Sequence, residues 1–238
     1  MRILITNDDG IMSDGIARLA RAAKEFGEVW VVAPETQRSA ASHSISLHSA
    51  IDIYPCDEFP IEGVHAYSCS GTPGDCVRVG SLSVMPEKPE VVLSGINFGY
   101  NVASDIQYSA TAGAAFEAAF QGYHAIALSE GCHDHSVTDK YIKEILEKLL
   151  NEPLKPGFIH NVNFPDCDLG ECKGVLFDRT VSQGMFYKDH YNVVEKLYDG
   201  GVRYMVEGVY SPAAEEGTDF DAILNNYVSV GVVNNVGY

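Results

Sequence analysis

Short apolar segments alternate with helical patterns over the first two-thirds of the chain, and this alternation restricts the fold more than any other feature. Residues 29–33 and 91–94 are continuous, mostly apolar runs, which are typical of strands buried on both faces of a parallel sheet. Asp14 begins a stretch in which apolar residues recur at helical spacing until Gly27. We therefore predict a doubly wound, Rossmann-like α/β fold, with a mostly parallel sheet between two layers of helices.

Seven strands and three main helices are predicted in this part of the chain. The predicted strands cover residues 2–6, 29–33, 50–54, 64–68, 91–94, 124–128 and 159–164. The predicted helices begin at Asp14, Thr111 and Ser136, and the segment from Ser136 to Asp139 resembles a capping box. His133-Asp134-His135, just before that helix, indicates a solvated turn rather than a metal site.

The chain becomes β-rich after about Cys172. Strands at residues 175–177, 191–196 and 202–206 are expected to form hairpins, with Gly200-Gly201 as a turn, followed by a short helix and a last strand. We predict one domain over residues 1–238. Its core covers about residues 1–172, and a β-rich C-terminal arm covers about residues 173–238.

Composition excludes several classes of partner. The 238 residues contain 16 Lys and Arg against 33 Asp and Glu, which gives a formal net charge of −17. Such a balance argues against a broad nucleic-acid surface and against binding to anionic membranes. No apolar run is long enough to span a bilayer, and no leader pattern precedes the first strand. We therefore expect a cytoplasmic protein with reduced cysteines, since the six cysteines show no paired CxxC spacing.

Two adjacent carboxylates, Asp8 and Asp9, follow the first predicted strand within Asn7-Asp8-Asp9-Gly10. Neighbouring anions repel each other unless a cation or a shared proton relieves them. Ser39 and Asn97 follow two other predicted strand ends, where the carboxyl ends of strands form a ligand crevice. Carboxylate, hydroxyl and amide oxygens suit a hard cation such as Mg²⁺, Mn²⁺ or Ca²⁺. The alternative for the acidic pair is a solvated Asp-Gly turn.

Another polar cluster, Tyr108-Ser109-Ala110-Thr111, lies at the start of an alanine-rich helix. Free backbone N–H groups and small hydroxyls at a helix N-terminus can bind an anion such as phosphate. The alternative is simple capping of the helix by Ser109 or Thr111. The cluster alone does not distinguish the two interpretations.

Taken together, the motifs resemble the SurE family of survival-protein-E nucleotidases. Five of them occur in the order found in that family: Asn7-Asp8-Asp9-Gly10, Arg38-Ser39, Ser70-Gly71-Thr72-Pro73, Ser94-Gly95-Ile96-Asn97 and Tyr108-Ser109-Ala110-Thr111. The resemblance continues into Asn161-Val162-Asn163-Phe164-Pro165 and Glu216-Gly217-Thr218-Asp219, so it covers nearly the whole chain.

The resemblance implies a metal-dependent phosphatase that acts on nucleoside monophosphates, as a 5′-nucleotidase and also on 3′ phosphates. It implies one divalent metal ion per subunit, Mg²⁺ or Mn²⁺, with Ca²⁺ as an occupant in crystals. The implied metal ligands are Asp8, Asp9, Ser39 and Asn97, with Asp8 and Asp9 as catalytic groups that handle a water. The implied phosphate-binding residues are Asn101, Ser109 and Thr111. The resemblance also implies that the chain forms homodimers or homotetramers through the C-terminal arm.

Two departures from the family pattern stand out. Ala110 replaces the usual glycine, which adds a methyl group beside the predicted phosphate pocket, and the last strand continues as Val228-Ser229-Val230-Gly231 rather than ending in Ile-Thr-Pro-Leu. A second function class is a non-enzymatic phospho-receiver or metal-dependent nucleotide-sensing domain. A receiver needs an aspartate after its third strand, whereas Gly95-Ile96-Asn97 follows here, and receivers are much shorter.

Overall fold

A nine-stranded sheet forms the centre of the computed structural model, which describes residues 1–211 and 214–236. The strands, numbered along the chain, are β1 (Arg2–Thr6), β2 (Glu28–Pro34), β3 (Ile53–Pro55), β4 (His65–Cys69), β5 (Val91–Phe98), β6 (His124–Glu130), β7 (Phe158–Phe164), β8 (Val175–Arg179), β9 (Tyr187–Lys196), β10 (Val202–Tyr210) and β11 (Val228–Asn234). The strand order is β3-β4-β2-β1-β5-β6-β7-β11-β8. Neighbours are parallel except for β3 against β4 and β11 against β7.

Helices cover both faces of this sheet. They are α1 (Asp14–Ala23), α2 (Pro73–Val79), α3 (Ala110–Phe120), α4 (Ser136–Leu149) and α5 (Asp219–Leu224). Successive strand residues point to opposite faces, so Ile3 and Ile5 of β1 share a core with α1 and α4, while Leu4 shares one with α2 and α3. The predicted doubly wound, three-layer α/β fold is confirmed. No helix in the described part of the chain is both long enough and apolar enough to cross a membrane.

Two local predictions need correction. Helix α2 was not predicted, although Thr72 and Asp75 cap each other at its start and Pro73 occupies its first turn. The predicted capping box at Ser136 is wrong, because the N-cap of α4 is His135 and Ser136 already lies inside the helix. Asp134 accepts a hydrogen bond from the Ser136 N–H at 2.6 Å instead, which satisfies one of the free donors of the first turn.

The C-terminal segment divides between the sheet and a separate hairpin. Strands β8 and β11 complete the nine-stranded sheet, and α5 buries Phe220 and Ile223 against Val102 and Phe186. Strands β9 and β10 pair with each other instead, as an antiparallel two-stranded hairpin whose residues are mostly exposed. The segment predicted as a β-rich arm thus contributes both to the central sheet and to this hairpin. Residues 212, 213, 237 and 238 of that arm lie outside the described residues.

A buried carboxylate ties α3 to its surroundings. Glu117 of α3 has a side chain only 7% exposed, and it accepts hydrogen bonds from His43 at 2.8 Å and from Arg78 at 2.9 Å. Gln121 donates a third bond at 2.9 Å. The hydrogen bond from His43, aided by those from Gln121 and Arg78, outweighs the effect of burial and lowers the pKa of Glu117 to about 2. Ionised Glu117 therefore stabilises the folded chain.

Replacement of Glu117 by glutamine is expected to lower the free energy of unfolding at pH 7 by about 2 kcal/mol, because Arg78 and His43 lose their charged partner. The pKa of this carboxyl is lower in the folded state, so its contribution is complete above about pH 4.5 and disappears as the pH falls towards about 2. Urea unfolding at pH 7, 5, 4 and 3 measures the difference in the free energy of unfolding between the wild type and Glu117→Gln, which should become smaller as the pH falls. Glu144→Gln, on the exposed face of α4, is the matched control. A difference that stays constant with pH would contradict the assignment.

Candidate active site

The turn after β1 places Asp8 and Asp9 at the carboxyl edge of the sheet. Asn7 closes this turn, because its Nδ2 donates to the Gly10 carbonyl at 3.0 Å and its Oδ1 accepts from the Gly10 N–H at 3.2 Å. Gly10 has a φ of 101°, a left-handed conformation that glycine adopts without strain. Asp8 lines a cavity of about 370 Å³, whereas Asp9 lines a neighbouring cavity of about 260 Å³.

The larger cavity brings together residues from seven separate parts of the chain. Five of the seven site residues predicted from the sequence line it: Asp8, Ser39, Asn97, Asn101 and Ser109. Asp9 and Thr111 are not among its lining residues. Aromatic side chains form much of the remaining wall: Phe98, Tyr100, Tyr108, Tyr187 and Tyr210. The last two belong to the β9–β10 hairpin, so the hairpin borders this cavity.

Asp8 is a buried carboxylate that forms no ion pair within the described part of the chain. It is 3% exposed, and burial is the largest of the effects that raise its pKa to about 6. The Thr111 hydroxyl donates a hydrogen bond to Asp8 Oδ1 at 2.5 Å, which opposes that rise, while the charge of Asp9 adds to it. No Lys, Arg or His side chain of residues 1–211 and 214–236 forms an ion pair with Asp8. The alternative of a solvated turn is therefore wrong for Asp8.

Asp9 is held by two hydrogen bonds on the side of the smaller cavity. Gln37 Nε2 donates to its Oδ1 and the Phe98 N–H donates to its Oδ2, both at 3.1 Å. Burial raises the pKa of Asp9 despite these bonds, and the charge of Glu130 adds to the rise. Glu130 itself is paired with Arg18 Nη1 at 2.6 Å.

Ser39 and Asn97 reach the cavity from different backbone settings. Asn97 is the penultimate residue of β5. Its Nδ2 donates to the Gly99 carbonyl at 2.7 Å, which leaves the side-chain oxygen as the atom available to a cation. Ser39 lies in the loop after β2, where the Arg38 N–H donates to the Asp8 carbonyl at 2.7 Å. This loop also packs closely on α3, because a Cβ on Gly113 would meet the Ser42 carbonyl at 2.5 Å.

The three predicted phosphate residues have different surroundings. Ser109 is the N-cap of α3, and its hydroxyl accepts from the Ala112 N–H at 3.0 Å. Ser109 therefore caps α3 and also lines the cavity. Asn101 is anchored by Ser129 Oγ at 2.7 Å and, through its N–H, by Asn163 Oδ1 at 2.8 Å. Thr111 is fully buried, and its hydroxyl contacts Asp8 rather than the cavity.

Sequence reasoning missed His133 and Asp166, which both line the larger cavity. His133 had been assigned to a solvated turn. Its side chain is indeed 87% exposed, but Nδ1 lies 2.5 Å from Asp166 Oδ2. The His-Asp-His pattern was a visible signal, yet the partner carboxylate lies 33 residues further along the chain. Among the described residues, no group of three or more His, Cys, Asp or Glu side chains could hold a metal ion.

Comparison with known proteins gives one consistent family. The sequence model described as survival protein SurE matches residues 3–186. A Clostridium beijerinckii protein named 5′-nucleotidase SurE is 40% identical, and the match covers 97% of this chain and 91% of the relative. A Cronobacter sakazakii protein named 5′/3′-nucleotidase SurE is 39% identical, with 97% and 88% covered. The crystal structure of the SurE protein from Aquifex aeolicus superposes with a TM-score of 0.83 at 34% identity, covering 98% of this chain and 93% of the other.

Proposed function

Because this chain belongs to the SurE family, we propose that it is a 5′-nucleotidase, a phosphomonoesterase that hydrolyses nucleoside monophosphates to nucleoside and phosphate. Relatives that bear the nucleotidase name match it over nearly their full length. The cavity of about 370 Å³ lies within the size range of small-molecule sites. Its aromatic wall offers apolar surface to a nucleoside, and its polar floor offers hydrogen-bonding groups to a phosphate.

The single observation that most supports metal dependence is the buried carboxylate of Asp8, which has no cationic partner in the described chain. A buried charge without a partner is costly, and a bound cation removes that cost. Together, Asp8, Asp9, Ser39 and Asn97 supply two negative charges and neutral oxygens, a donor set that fits one Mg²⁺ or Mn²⁺ per subunit. When bound, such an ion lowers the pKa of a water and offsets charge on the phosphate.

The chain's own residues then bind and orient the substrate. Asp8 or Asp9 accepts a hydrogen bond from the attacking water and directs it at phosphorus. Ser109 and the free N–H groups at the start of α3 bind phosphate oxygens, since helix N-termini favour anions. Asn101, fixed by Ser129 and Asn163, lies beside them. Thr111 acts through Asp8, which its hydroxyl holds in place.

Assembly and location are further parts of the proposal. The β9–β10 hairpin presents large exposed apolar side chains, including Tyr191, Val193, Tyr204, Met205 and Val206. Exposed apolar surface of this extent favours association, so a homodimer or homotetramer through the hairpin is proposed. The single domain of residues 1–238 is proposed to work in the cytoplasm, without a nucleic-acid polymer or a membrane as its partner.

Removal of divalent metal is expected to stop phosphate release. Purified protein is assayed on nucleoside 5′- and 3′-monophosphates and on polyphosphate, with Mg²⁺, Mn²⁺, Ca²⁺ or EDTA. EDTA is expected to lower the rate at least about a hundredfold, and Mg²⁺ or Mn²⁺ to restore it, because several kcal/mol of charge stabilisation are lost with the metal. Full activity in EDTA would contradict the metal site. Stoichiometric labelling of the protein without turnover would instead favour the receiver.

A further inference from the structure

His133 and Asp166 form an ion pair on the wall of the substrate cavity, outside the proposed metal and phosphate ligands. Both residues line the cavity that contains Asp8, Ser39 and Asn97. His133 Nδ1 lies 2.5 Å from Asp166 Oδ2, while the imidazole itself is 87% exposed. A pair in which one partner is this exposed contributes only about 0–1 kcal/mol to stability. Stability alone therefore gives little reason for this pair.

Asp166 is held firmly in the position from which it meets His133. Its carboxylate accepts hydrogen bonds from the N–H groups of Cys132 at 3.2 Å, His133 at 3.2 Å and Asp134 at 3.1 Å. Burial opposes the ionisation of Asp166, but the bonds from the His133 side chain and from the N–H groups of Asp134 and His133 outweigh it and lower the pKa of Asp166. Asp166 thus presents a fixed anion to Nδ1.

The backbone around the pair is also closely packed. The Asp166 N–H donates to the Tyr100 hydroxyl at 2.6 Å, and Tyr100 is another cavity residue. Gly131 approaches so closely that a Cβ there would meet the Asp166 Cβ at 2.1 Å. The loop after β6 and the loop after β7 are therefore packed directly against each other. The imidazole is therefore positioned by its bond to the fixed Asp166 carboxylate rather than by side chains packed around the ring.

A carboxylate on Nδ1 determines what the other ring nitrogen can do. With Nδ1–H bonded to Asp166, Nε2 remains available to the cavity, where it can pass a proton to a bound substrate. Hydrolysis of a nucleoside monophosphate expels an alkoxide, which is a poor leaving group unless it receives a proton. The sites proposed above for the metal and the phosphate supply no group for this proton. The ion pair lines the same cavity and supplies one.

We propose that His133 is the general acid that protonates the leaving oxygen of the nucleoside, with Asp166 as its positioning residue; this inference rests on the proposed nucleotidase function. Water oxygen forms a bond to phosphorus as the bond from phosphorus to the ribose oxygen breaks. The bonding electron pair goes to the ribose oxygen, which takes the proton from Nε2. The neutral imidazole regains a proton from solvent, and the proton of the attacking water leaves through Asp8 or Asp9 to solvent.

The test compares two substrates that differ only in how much their leaving group needs a proton. One is adenosine 5′-monophosphate, and the other is its analogue with sulfur in place of the bridging 5′ oxygen, whose thiolate leaves without protonation. His133→Asn keeps a side-chain N–H for Asp166 and removes Nε2. It is expected to lower kcat for the oxygen ester about a hundredfold and kcat for the sulfur ester less than about threefold. Asp166→Asn is expected to lower the ratio of kcat for the oxygen ester to kcat for the sulfur ester as well, but by a smaller factor.

The control is His65→Asn, which removes another exposed histidine; it begins β4, contacts Glu28 at 3.4 Å and does not line the cavity. It is expected to leave both rates unchanged. Equal losses on the two esters in His133→Asn would overturn the inference, because a merely structural role does not distinguish leaving groups. Undiminished hydrolysis of the oxygen ester would also overturn it. If the wild-type protein released phosphate from neither ester, the proposed function itself would fail, and the inference with it.

Discussion

Asp8→Asn is expected to lower kcat/KM for adenosine 5′-monophosphate at least about a thousandfold, which corresponds to roughly 4 kcal/mol of lost transition-state stabilisation. Asparagine has the shape of aspartate but no charge. The variant therefore keeps the turn made by Asn7 and Gly10 and loses half of the negative charge proposed to hold the metal. The effect should be one of charge rather than of fold.

The measurement is phosphate release over a range of Mn²⁺ concentrations, with Asp57→Asn, an exposed acid outside the cavity, as the matched control. Asp57→Asn is expected to behave as the wild type. Asp8→Asn should need far more Mn²⁺ for half-maximal activity, and its maximal rate should stay low. Full activity of Asp8→Asn without added metal would contradict the proposed site.

The same substitution is expected to stabilise the metal-free protein. Burial raises the pKa of Asp8 to about 6, so the ionised carboxylate costs roughly 2–3 kcal/mol at pH 7 relative to an ordinary aspartate. Because the pKa is higher in the folded state, the stability of the metal-free wild type falls as the pH rises from about 4 to about 6. Asparagine removes this cost. Urea unfolding in EDTA at pH 7 should show the variant to be the more stable protein, although it is the less active one.

The positions of the core strands along the chain could be anticipated because each strand is encoded by a local run of apolar residues. Asp8, Ser39 and Asn97 could be brought together for the same reason, since Asp8 and Ser39 follow strands, and Asn97 lies near the end of one, at the same edge of the sheet. Helix α2 was harder to predict, because its seven residues give too short a period to recognise. The insertion of β11 between β7 and β8 depends on pairing far along the chain, which no local pattern specifies.

Contacts between distant side chains were beyond sequence reasoning for a similar physical reason. The Thr111–Asp8 bond joins residues 103 positions apart, and the His133–Asp166 bond joins residues 33 positions apart. A motif gives the identity of a side chain but not the direction in which it points. The family resemblance implies a phosphate role for Thr111, whereas the structure turns its hydroxyl to Asp8.

Thr111→Val is expected to lower kcat/KM up to about a hundredfold, the range typical when a group that supports a metal ligand is removed. Valine has nearly the shape of threonine but donates no hydrogen bond. Asp8 Oδ1 would lose its donor at 2.5 Å, and the pKa of Asp8 would rise further, because this bond is the largest of the effects that lower it. A protonated Asp8 is a poor metal ligand.

The two possible roles of Thr111 predict changes in different quantities: the Mn²⁺ concentration for half-maximal activity, or the inhibition constant of inorganic phosphate. If its hydroxyl acts through Asp8, Thr111→Val raises the Mn²⁺ concentration for half-maximal activity, while inhibition by inorganic phosphate at saturating Mn²⁺ stays the same. If the hydroxyl binds phosphate directly, inhibition by phosphate weakens and the Mn²⁺ dependence stays the same. Thr111→Ser keeps the donor and is expected to remain within about threefold of the wild type in both constants. A loss in Thr111→Ser as large as that in Thr111→Val would show that packing of the methyl group, rather than the hydrogen bond to Asp8, accounts for the effect.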